Sequence, residues 1–356
     1  MKTSLPRIEI TLSKIRDNAR LLSELYGQKG ISLMGVSKAI LGDPLVARAM
    51  IEGGVKFIAD SRLQNIQKMK KTGISVPFVL LRTALSQAKS IVRNVDISLN
   101  TEFDTVKELS RHAKKQKKTH KIILMVELGD LREGILPADL SAFIRKTLAL
   151  PNIKIIGIGT NLACYGGVKP DDQKMGHLSE TANSIEDEFQ MNLEVVSGGN
   201  SANFEWAKSA QEVGRVNNLR MGESLLLGRE TLGRNPIPGL HTDAFKLVTE
   251  VIESKEKPSL PFGEIAQNAF GDVPTFIDRG LRRRVIVALG RQDVLISGLK
   301  PTNIDLEILG ASSDHLILDS QNQALKVGSE VEFHLDYGAL LSAMTSPFIE
   351  KTFLNS

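Results

Sequence analysis

The stretch KIILMVELGDLREGILPADLSAFIRKTLALPNIKIIGIGT (residues 121–160) decides the fold. It begins with the apolar, β-branched run KIILMVEL and ends with a second such run, KIIGIGT. Between the two runs, DLSAFIRKTLAL places its apolar residues at helical spacing. A buried strand, an amphipathic helix and another buried strand in this order are typical of parallel strands joined by a crossover helix.

The same unit repeats in both directions, from residue 8 to about residue 235. Eight strand and helix repeats in this length favour an α/β TIM barrel over an open doubly wound sheet, which more often stops at five or six strands. The candidate strands are ISLMGV (31–36), KFIA (56–59), PFVLL (77–81), DISLN (96–100), KIILMVEL (121–128), KIIGIGT (154–160), LEVVSGG (193–199) and NNLRMG (217–222).

After Pro236 and Pro238 the pattern changes to strands without intervening helices, which predicts a separate, mainly β C-terminal domain. We therefore predict a barrel over residues 8–238 and a β domain over residues 239–356, with residues 1–12 pairing with the β domain. The predicted β-domain strands are FKLVTEVIES, RRVIVAL, DLEILG, HLILD and SEVEFHLD.

Composition excludes several functional classes. The net charge is only +4, and the basic runs are not interleaved with the aromatic residues that a single-strand nucleic-acid binder uses for stacking. No stretch approaches the roughly 20 apolar residues that span a bilayer, and no metal-ligand set is predicted. The N-terminal residues lack the pattern of an export signal, and the single cysteine, Cys164, cannot form an internal disulfide. We expect a cytoplasmic protein that binds neither nucleic acid nor membrane.

Lys38 directly follows the predicted strand ISLMGV. In a TIM barrel the chemistry lies where strands end at the C-terminal face, so this lysine is expected at the barrel mouth. Walls that shield its amine from water favour the neutral amine that Schiff-base chemistry needs. From its position alone, an ordinary surface lysine at a strand end is the more common interpretation.

The N-terminal sequence adds a resemblance. IEITLSKIRDN, followed by MGVSKA, resembles the opening of the alanine racemase family of fold-type III pyridoxal-5′-phosphate (PLP) enzymes. In that family an acidic strand, a helix with an Ile-x-x-Asn motif and a strand-end lysine occur in this order, and the similarity continues along nearly the whole chain. The resemblance implies that PLP is the cofactor and that Lys38 carries it as a Schiff base.

Two further segments match the cofactor site of the family. SGGNSA (197–202) resembles its phosphate loop at Asn200 and Ser201, and its small residues suit a close approach of backbone amides to a phosphate. In GTNLACYGG, Asn161 stands where alanine racemases usually have a histidine that supports an arginine on the pyridine ring. An amide side chain can make the same hydrogen bond.

LRMGES (219–224) is similar to the family's Arg-x-Gly stretch after the last barrel strand. The resemblance implies that Arg220 hydrogen-bonds the pyridine nitrogen and that the backbone amides of Gly222 and Glu223 bind the phosphate. A guanidinium keeps its protons, so it leaves the ring nitrogen unprotonated and weakens the electron sink. That restrains side reactions such as transamination and favours simple proton exchange at Cα.

Substrate contacts are implied in both domains. LGDLREGI (128–135) matches the family segment whose arginine binds the substrate carboxylate, which nominates Arg132. ASSDH (311–315) aligns with the region that the C-terminal domain lends to a neighbouring active site, which nominates Ser313 and Asp314. The resemblance therefore implies a homodimer with shared active sites.

The chain departs from alanine racemases at the second catalytic base. Where the family has a tyrosine in a Gly-Tyr-Ala-Asp-Gly motif, this chain has LGRQDV with Arg291, and a guanidinium is a poor base. His315 is our prediction for this role because histidine is the residue type that titrates near neutral pH. The candidates that stay open are Asp314, Asp293 and Cys164.

Together, GTNLACYGG, LGRQDV and ASSDH resemble the ornithine racemase branch of the family more than alanine racemase itself. We therefore predict a PLP-dependent amino-acid racemase that acts on a basic amino acid such as ornithine by Cα proton exchange. Two other readings are a non-catalytic PLP carrier and a fold-type III decarboxylase of a basic amino acid. Chain length argues against the carrier, and Arg220 argues against the decarboxylase, whose ring partner is a glutamate.

Overall fold

The computed structural model describes residues 6–303, 305–321 and 323–354. The chain divides into two compact units. One is continuous, Leu12–Thr242, and the other combines Met1–Thr11 with Asp243–Ser356. The strand β1 (Arg7–Thr11) therefore belongs to the second unit, although the predicted boundary assigned residues 8–11 to the barrel.

The first unit is a closed barrel of eight parallel strands, as the repeats predict. The strands occur around the barrel in chain order, and the first pairs in parallel with the last. They are β2 (Ser32–Val36), β3 (Phe57–Asp60), β4 (Phe78–Leu80), β5 (Ile97–Asn100), β6 (His120–Met125), β7 (Ile153–Gly159), β8 (Val195–Ser197) and β9 (Asn218–Met221).

Nine helices described in this unit precede, connect or follow these strands. They are α1 (Leu12–Gly27), α2 (Pro44–Glu52), α3 (Leu63–Lys71), α4 (Ala88–Asn94), α5 (Phe103–Lys115), α6 (Pro137–Leu148), α7 (Asp172–Phe189), α8 (Phe204–Ser209) and α9 (Glu223–Leu227). Side chains at the N-terminal ends determine where several of these helices begin. The Asp43 carboxylate accepts the Leu45 amide at 2.9 Å and α2 then opens on Pro44, which needs no hydrogen bond from its own nitrogen.

Apolar side chains fill the barrel interior, so the barrel is a packed core and its chemistry is confined to the ends. Burying each large side chain of this kind contributes about 1.5–3 kcal/mol to folding. The interior cluster consists of Met34, Val36, Ala59, Val79, Ile97, Leu99, Ile123, Met125, Ile156 and Val195.

The second unit is one eight-stranded sheet that includes β1. In it, β1 pairs antiparallel with β10 and parallel with β16. The other strands form the order β12-β15-β10-β11-β14-β13. The strands are β10 (Phe245–Pro258), β11 (Leu281–Val287), β12 (Leu299–Pro301), β13 (Glu307–Ala311), β14 (Leu316–Asp319), β15 (Glu330–Leu335) and β16 (Glu350–Leu354).

The sequence pattern predicted no helices in this part of the chain, and this prediction is wrong in one place. Helix α10 (Tyr337–Thr345) follows β15, and the Asp336 carboxylate caps it by accepting the Ala339 amide at 2.8 Å. The unit is nevertheless mainly β, as predicted. In neither unit do the described residues include a helix that is long and apolar enough to cross a membrane.

A buried histidine makes barrel stability depend on pH. His120 begins β6, is 3% exposed, and lies 2.9 Å through Nε2 from the Ser98 hydroxyl. Burial lowers the pKa of His120 from 6.5 to about 4. Between these values the unfolded chain binds the proton and the folded chain does not, so stability falls as the pH drops through this range. The shift corresponds to about 3 kcal/mol.

We therefore expect His120→Gln to flatten the dependence of the melting temperature on pH between pH 4 and 7, because a neutral side chain has no proton to gain. The measurement is thermal unfolding of both proteins across this range. The exposed His177 provides a matched control, since His177→Gln should leave the slope unchanged. Parallel curves for wild type and His120→Gln would refute the assignment.

Candidate active site

The turn that carries Lys38 is fixed by a buried carboxylate. Lys38 begins a short 3-10 turn (Lys38–Ile40) immediately after β2 and is half-buried. The preceding residue, Ser37, is fully buried, and its hydroxyl donates to the Asp60 carboxylate at 2.6 Å. Asp60 ends the neighbouring strand β3. Because β2 and β3 pair in parallel, this bond ties together two strand ends at the C-terminal mouth of the barrel.

Asp60 has further partners that hold it in place. Its other carboxylate oxygen accepts the Arg62 amide at 2.8 Å and the Asn65 side-chain amide at 3.0 Å. Burial raises the pKa of Asp60 above its ordinary value, and these hydrogen bonds oppose the rise. Gly42, at the end of the lysine turn, has a φ of +55°, and a Cβ there would lie 2.7 Å from the Cβ of Asn65. Only glycine fits this close approach.

Arg220 lies in β9, the other neighbour of β2, and is 5% exposed. One terminal nitrogen donates to the Ser197 hydroxyl at 2.6 Å, and the other donates to the Thr160 carbonyl at 2.6 Å. Burial lowers the pKa of Arg220 to about 10. Within the described part of the chain, no carboxylate forms an ion pair with it. A buried guanidinium without a directly bonded carboxylate is costly, which is the expected state of a residue that binds a ligand.

Two amide side chains extend this arrangement toward the loop after β7. The Asn161 carbonyl accepts from Arg220 at 3.3 Å and from the Asn200 side-chain amide at 3.2 Å. The Asn161 nitrogen is buried and has no hydrogen-bond partner among the described residues. Because a buried donor without an acceptor is costly, this nitrogen is a second indication of a missing ligand.

The loops after β8 and β9 meet at Ser201. The Ser201 hydroxyl, in a buried residue, accepts the Gly222 amide at 3.4 Å and the Ser224 amide at 3.2 Å. Gly199 has a φ of +143°, and a Cβ there would lie 2.2 Å from the Asn203 side-chain oxygen. The glycine therefore lets the chain turn tightly toward backbone amides that suit an anion such as a phosphate.

Glu223 has a structural partner that the sequence did not indicate. Its carboxylate forms an ion pair and a hydrogen bond with Arg234, and the residue is 7% exposed. The predicted role of Glu223 involves its backbone amide and not this carboxylate. The charge of this carboxylate is already compensated by Arg234.

Arg132 lies in the loop after β6, where its guanidinium bonds the adjacent Glu133 and is about one-third exposed. That carboxylate raises the pKa of Arg132. Charges on Arg132 and Glu133 also influence the pKa of Arg220, so the loop lies within electrostatic range of the buried guanidinium. The neighbouring Asp130 is buried and accepts the backbone amides of residues 164–166 at 3.0–3.3 Å.

The predicted site residues of the second unit form a separate group. They lie in the turn between β13 and β14, where the Asp314 carboxylate accepts from the His315 ring at 2.7 Å and from the Ser312 hydroxyl at 3.2 Å. The His315 bond lowers the pKa of Asp314. The segment 290–293 packs against this turn, because the amide of Arg291 donates to the Ser312 carbonyl and that of residue 292 donates to the Ser313 carbonyl, both at 3.0 Å. The two segments that depart from the alanine racemase pattern are therefore neighbours.

The structure thus brings together Lys38, Arg220, Asn161, Asn200, Ser201, Gly222 and Glu223 at the ends of four strands of one barrel, β2, β7, β8 and β9. Sequence reasoning missed Ser37, Asp60 and Asp130, which hold the active-site loops. Asp60 had a usable signal, since it is a polar residue at the end of the strand FIAD.

Comparison with known sequences identifies one family. Residues 10–230 match the family model described as alanine racemase, N-terminal domain. The chain is 43% identical to ornithine racemase of Acetoanaerobium sticklandii over 98% of this chain and 99% of that protein. It is 38% identical to lysine racemase of Thermotoga maritima over 98% of each protein.

Solved structures with lower identity share the fold. Alanine racemase from Streptomyces lavendulae superposes with a TM-score of 0.77 at 16% identity, covering 99% of this chain and 98% of that chain. Alanine racemase from Bartonella henselae, solved with covalently bound pyridoxal phosphate, superposes with a TM-score of 0.75 at 16% identity, covering 99% and 100%. The architecture is therefore common to proteins whose sequences have diverged widely.

Proposed function

This chain belongs to the alanine racemase family, and from that membership we propose that it is a PLP-dependent racemase of a basic amino acid, with ornithine as its best substrate. Near full-length similarity to an ornithine racemase and a lysine racemase supports the substrate class. The structural observation that carries the proposal is Arg220. It is a buried guanidinium without a carboxylate partner among the described residues, and it lies on the strand next to the one that ends at Lys38.

The residues present fit the cofactor. When bound, PLP withdraws electrons from the substrate Cα and makes its hydrogen removable. In this proposal Lys38 holds the cofactor aldehyde, and Arg220 donates to the ring nitrogen and keeps it unprotonated. The backbone amides of Gly222 and Glu223, with Asn200 and Ser201, bind the phosphate.

Asn161 has two roles in the same proposal. Its carbonyl holds the Arg220 guanidinium in place, and its unpaired nitrogen points to an acceptor that the ligand supplies. Arg132 is proposed to bind the substrate carboxylate, because a guanidinium can contact both oxygens of that group. Lys38, once released from the cofactor, moves the proton on one face of Cα.

We further propose a cytoplasmic homodimer in which the turn 312–315 of one copy completes the substrate site of the other. Exposed apolar side chains concentrated between residues 260 and 277 support an interaction surface in the second unit, and Phe276 and Ile277 are 45% and 75% exposed. Phe270 in this segment stacks under the Arg291 guanidinium at 4.0 Å, beside the turn. A fully active monomer in sedimentation experiments would contradict this assembly.

The proposal is tested by measuring kcat/KM of the PLP-loaded protein for ornithine, lysine and alanine. Ornithine or lysine should be converted more efficiently than alanine. Efficient conversion of alanine alone would contradict the substrate class and leave the racemase assignment intact.

Asp314 provides a sharper test of substrate recognition. Its low pKa keeps the carboxylate ionised at neutral pH, and in our proposal it faces the distal ammonium of the substrate, with Ser313 beside it. We expect Asp314→Asn to raise KM for ornithine about tenfold, or about 1.4 kcal/mol, and to leave KM for alanine nearly unchanged. Asp104→Asn, at an exposed position of α5, is the control and should change neither value. An equal change in KM for both substrates would show that Asp314 does not recognise the distal amine.

A further inference from the structure

A racemase must move a proton on both faces of Cα, and the family's tyrosine for the second face is replaced here by Arg291. The sequence left His315, Asp314, Asp293 and Cys164 as candidates. The first three belong to the second unit, where His315 and Asp314 are bonded to each other and Asp293 is buried against the Gly290 amide. Cys164 lies in the same unit as Lys38 and Arg220.

Barrel topology puts Cys164 on the far side of the mouth from Lys38. Lys38 follows β2 and Cys164 follows β7, and β2 is three strands from β7 in one direction (β9, β8, β7) and five in the other. In a closed barrel of eight strands this separation is close to opposite. Arg220 lies in β9 and Ser201 follows β8, the two strands between β2 and β7, so a ligand bound by these two residues has Lys38 to one side and Cys164 to the other.

The loop that carries Cys164 has a defined conformation. The Asp130 carboxylate accepts the amides of Cys164, Tyr165 and Gly166 at 3.3, 3.0 and 3.1 Å. Ala163 has a φ of +58°, which is uncommon for a residue with a side chain. The three hydrogen bonds therefore hold the loop that carries the exposed thiol in one conformation.

The thiol is connected to the buried arginine. The Asn200 side-chain amide lies 3.4 Å from the Cys164 sulfur and 3.2 Å from the Asn161 carbonyl, which accepts from Arg220. Cys164 also influences the pKa of both Arg220 and Arg132. Both guanidiniums therefore lie within electrostatic range of the Cys164 sulfur.

We propose that Cys164 is the second catalytic residue, which exchanges a proton with Cα on the face opposite Lys38. This assignment rests on the proposed function. In one direction the Cα–H bond breaks as the sulfur takes the proton, and the Lys38 ammonium gives its proton to the opposite face. In the other direction the Lys38 amine takes the proton and the Cys164 thiol gives one. Charge and protons balance in both directions, and no oxidant or second reactant is needed.

The test uses the PLP-loaded enzyme in D₂O with each enantiomer of ornithine. We expect Cys164→Ala and Cys164→Ser to slow racemisation by about 10²–10⁴-fold in both directions. The enantiomer whose α-hydrogen faces Lys38 should still exchange that hydrogen for deuterium with its configuration retained, and the other enantiomer should not exchange. Tyr165→Phe, an exposed position in the same loop, is the matched control and should racemise at the wild-type rate.

Three results would overturn the assignment: racemisation by Cys164→Ala at the wild-type rate, loss of exchange for both enantiomers while the cofactor spectrum is intact, or one-sided exchange in His315→Gln instead. A second readout does not depend on turnover. Alkylation of Cys164 by iodoacetamide in the wild-type protein should be slowed by bound ornithine, and an unchanged rate would contradict the position of the thiol at the substrate. A wild-type protein that does not racemise any amino acid would instead contradict the proposed function.

Discussion

Replacing Lys38 by alanine is expected to abolish racemisation, with a loss of at least about 10⁴-fold in kcat/KM, because we propose that this one residue both holds the cofactor and moves the proton on one face of Cα. The same change should remove the absorbance of lysine-bound PLP and the covalent labelling that borohydride produces in the wild-type protein. Peptide mapping after borohydride reduction identifies the labelled lysine directly.

A suitable control is Lys68→Ala, because the Lys68 ammonium lies 3.5 Å from the Leu41 carbonyl, in the same turn, and has no proposed role in chemistry. That variant should keep the cofactor spectrum. Labelling of a lysine other than Lys38 would remove the basis of the active-site assignment.

The second large effect is expected from reversing the charge of Arg220, which we propose to contact the pyridine nitrogen. Arg220→Glu should lower racemisation by about 10²–10³-fold, because a preorganised charged group at the reaction centre is replaced by one of opposite sign. A glutamate partner would also protonate the ring nitrogen and strengthen the electron sink. We therefore expect transamination of ornithine to increase relative to racemisation, and pyridoxamine phosphate to accumulate.

Arg220→Gln separates charge from position. It keeps a donor that can reach Ser197 or Thr160 but carries no charge, so its racemisation rate should fall between those of wild type and Arg220→Glu. Equal product ratios in all three proteins, measured by separating the keto acid and D-ornithine, would contradict the proposed role of the guanidinium.

The barrel was predictable because its signal is periodic and repeats eight times, so an error at one strand does not change the conclusion. Helix α10 was missed for the opposite reason. Its nine residues, YGALLSAMT, form one short apolar run whose period does not distinguish a strand from a helix. The informative feature was Asp336, a capping residue directly before the run.

The residues proposed to bind the cofactor could be predicted to lie together, because each of their motifs lies within a few residues of a strand end. Contacts between distant residues could not. Glu223 and Arg234, which form an ion pair, are 11 residues apart in the sequence. Asp130 and Cys164, whose amide Asp130 accepts, are 34 residues apart. Neither spacing has a pattern in the sequence, since both depend on how two loops meet at the barrel mouth. The choice of Cys164 for the second face needed the order of strands around the closed barrel.

The central claim is that this chain exchanges the α-hydrogen of a basic amino acid on both faces. It is tested most directly by incubating the PLP-loaded protein with L-ornithine in D₂O and following the α-hydrogen by NMR together with the enantiomer ratio by chiral chromatography. We predict that the two enantiomers approach equal amounts, that deuterium appears at Cα in both, and that the carboxylate is retained. Release of carbon dioxide with formation of a diamine would identify a decarboxylase, and recovery of L-ornithine, L-lysine and L-alanine all with their α-hydrogens intact would identify a non-catalytic PLP carrier. Either result would contradict the assignment of a racemase.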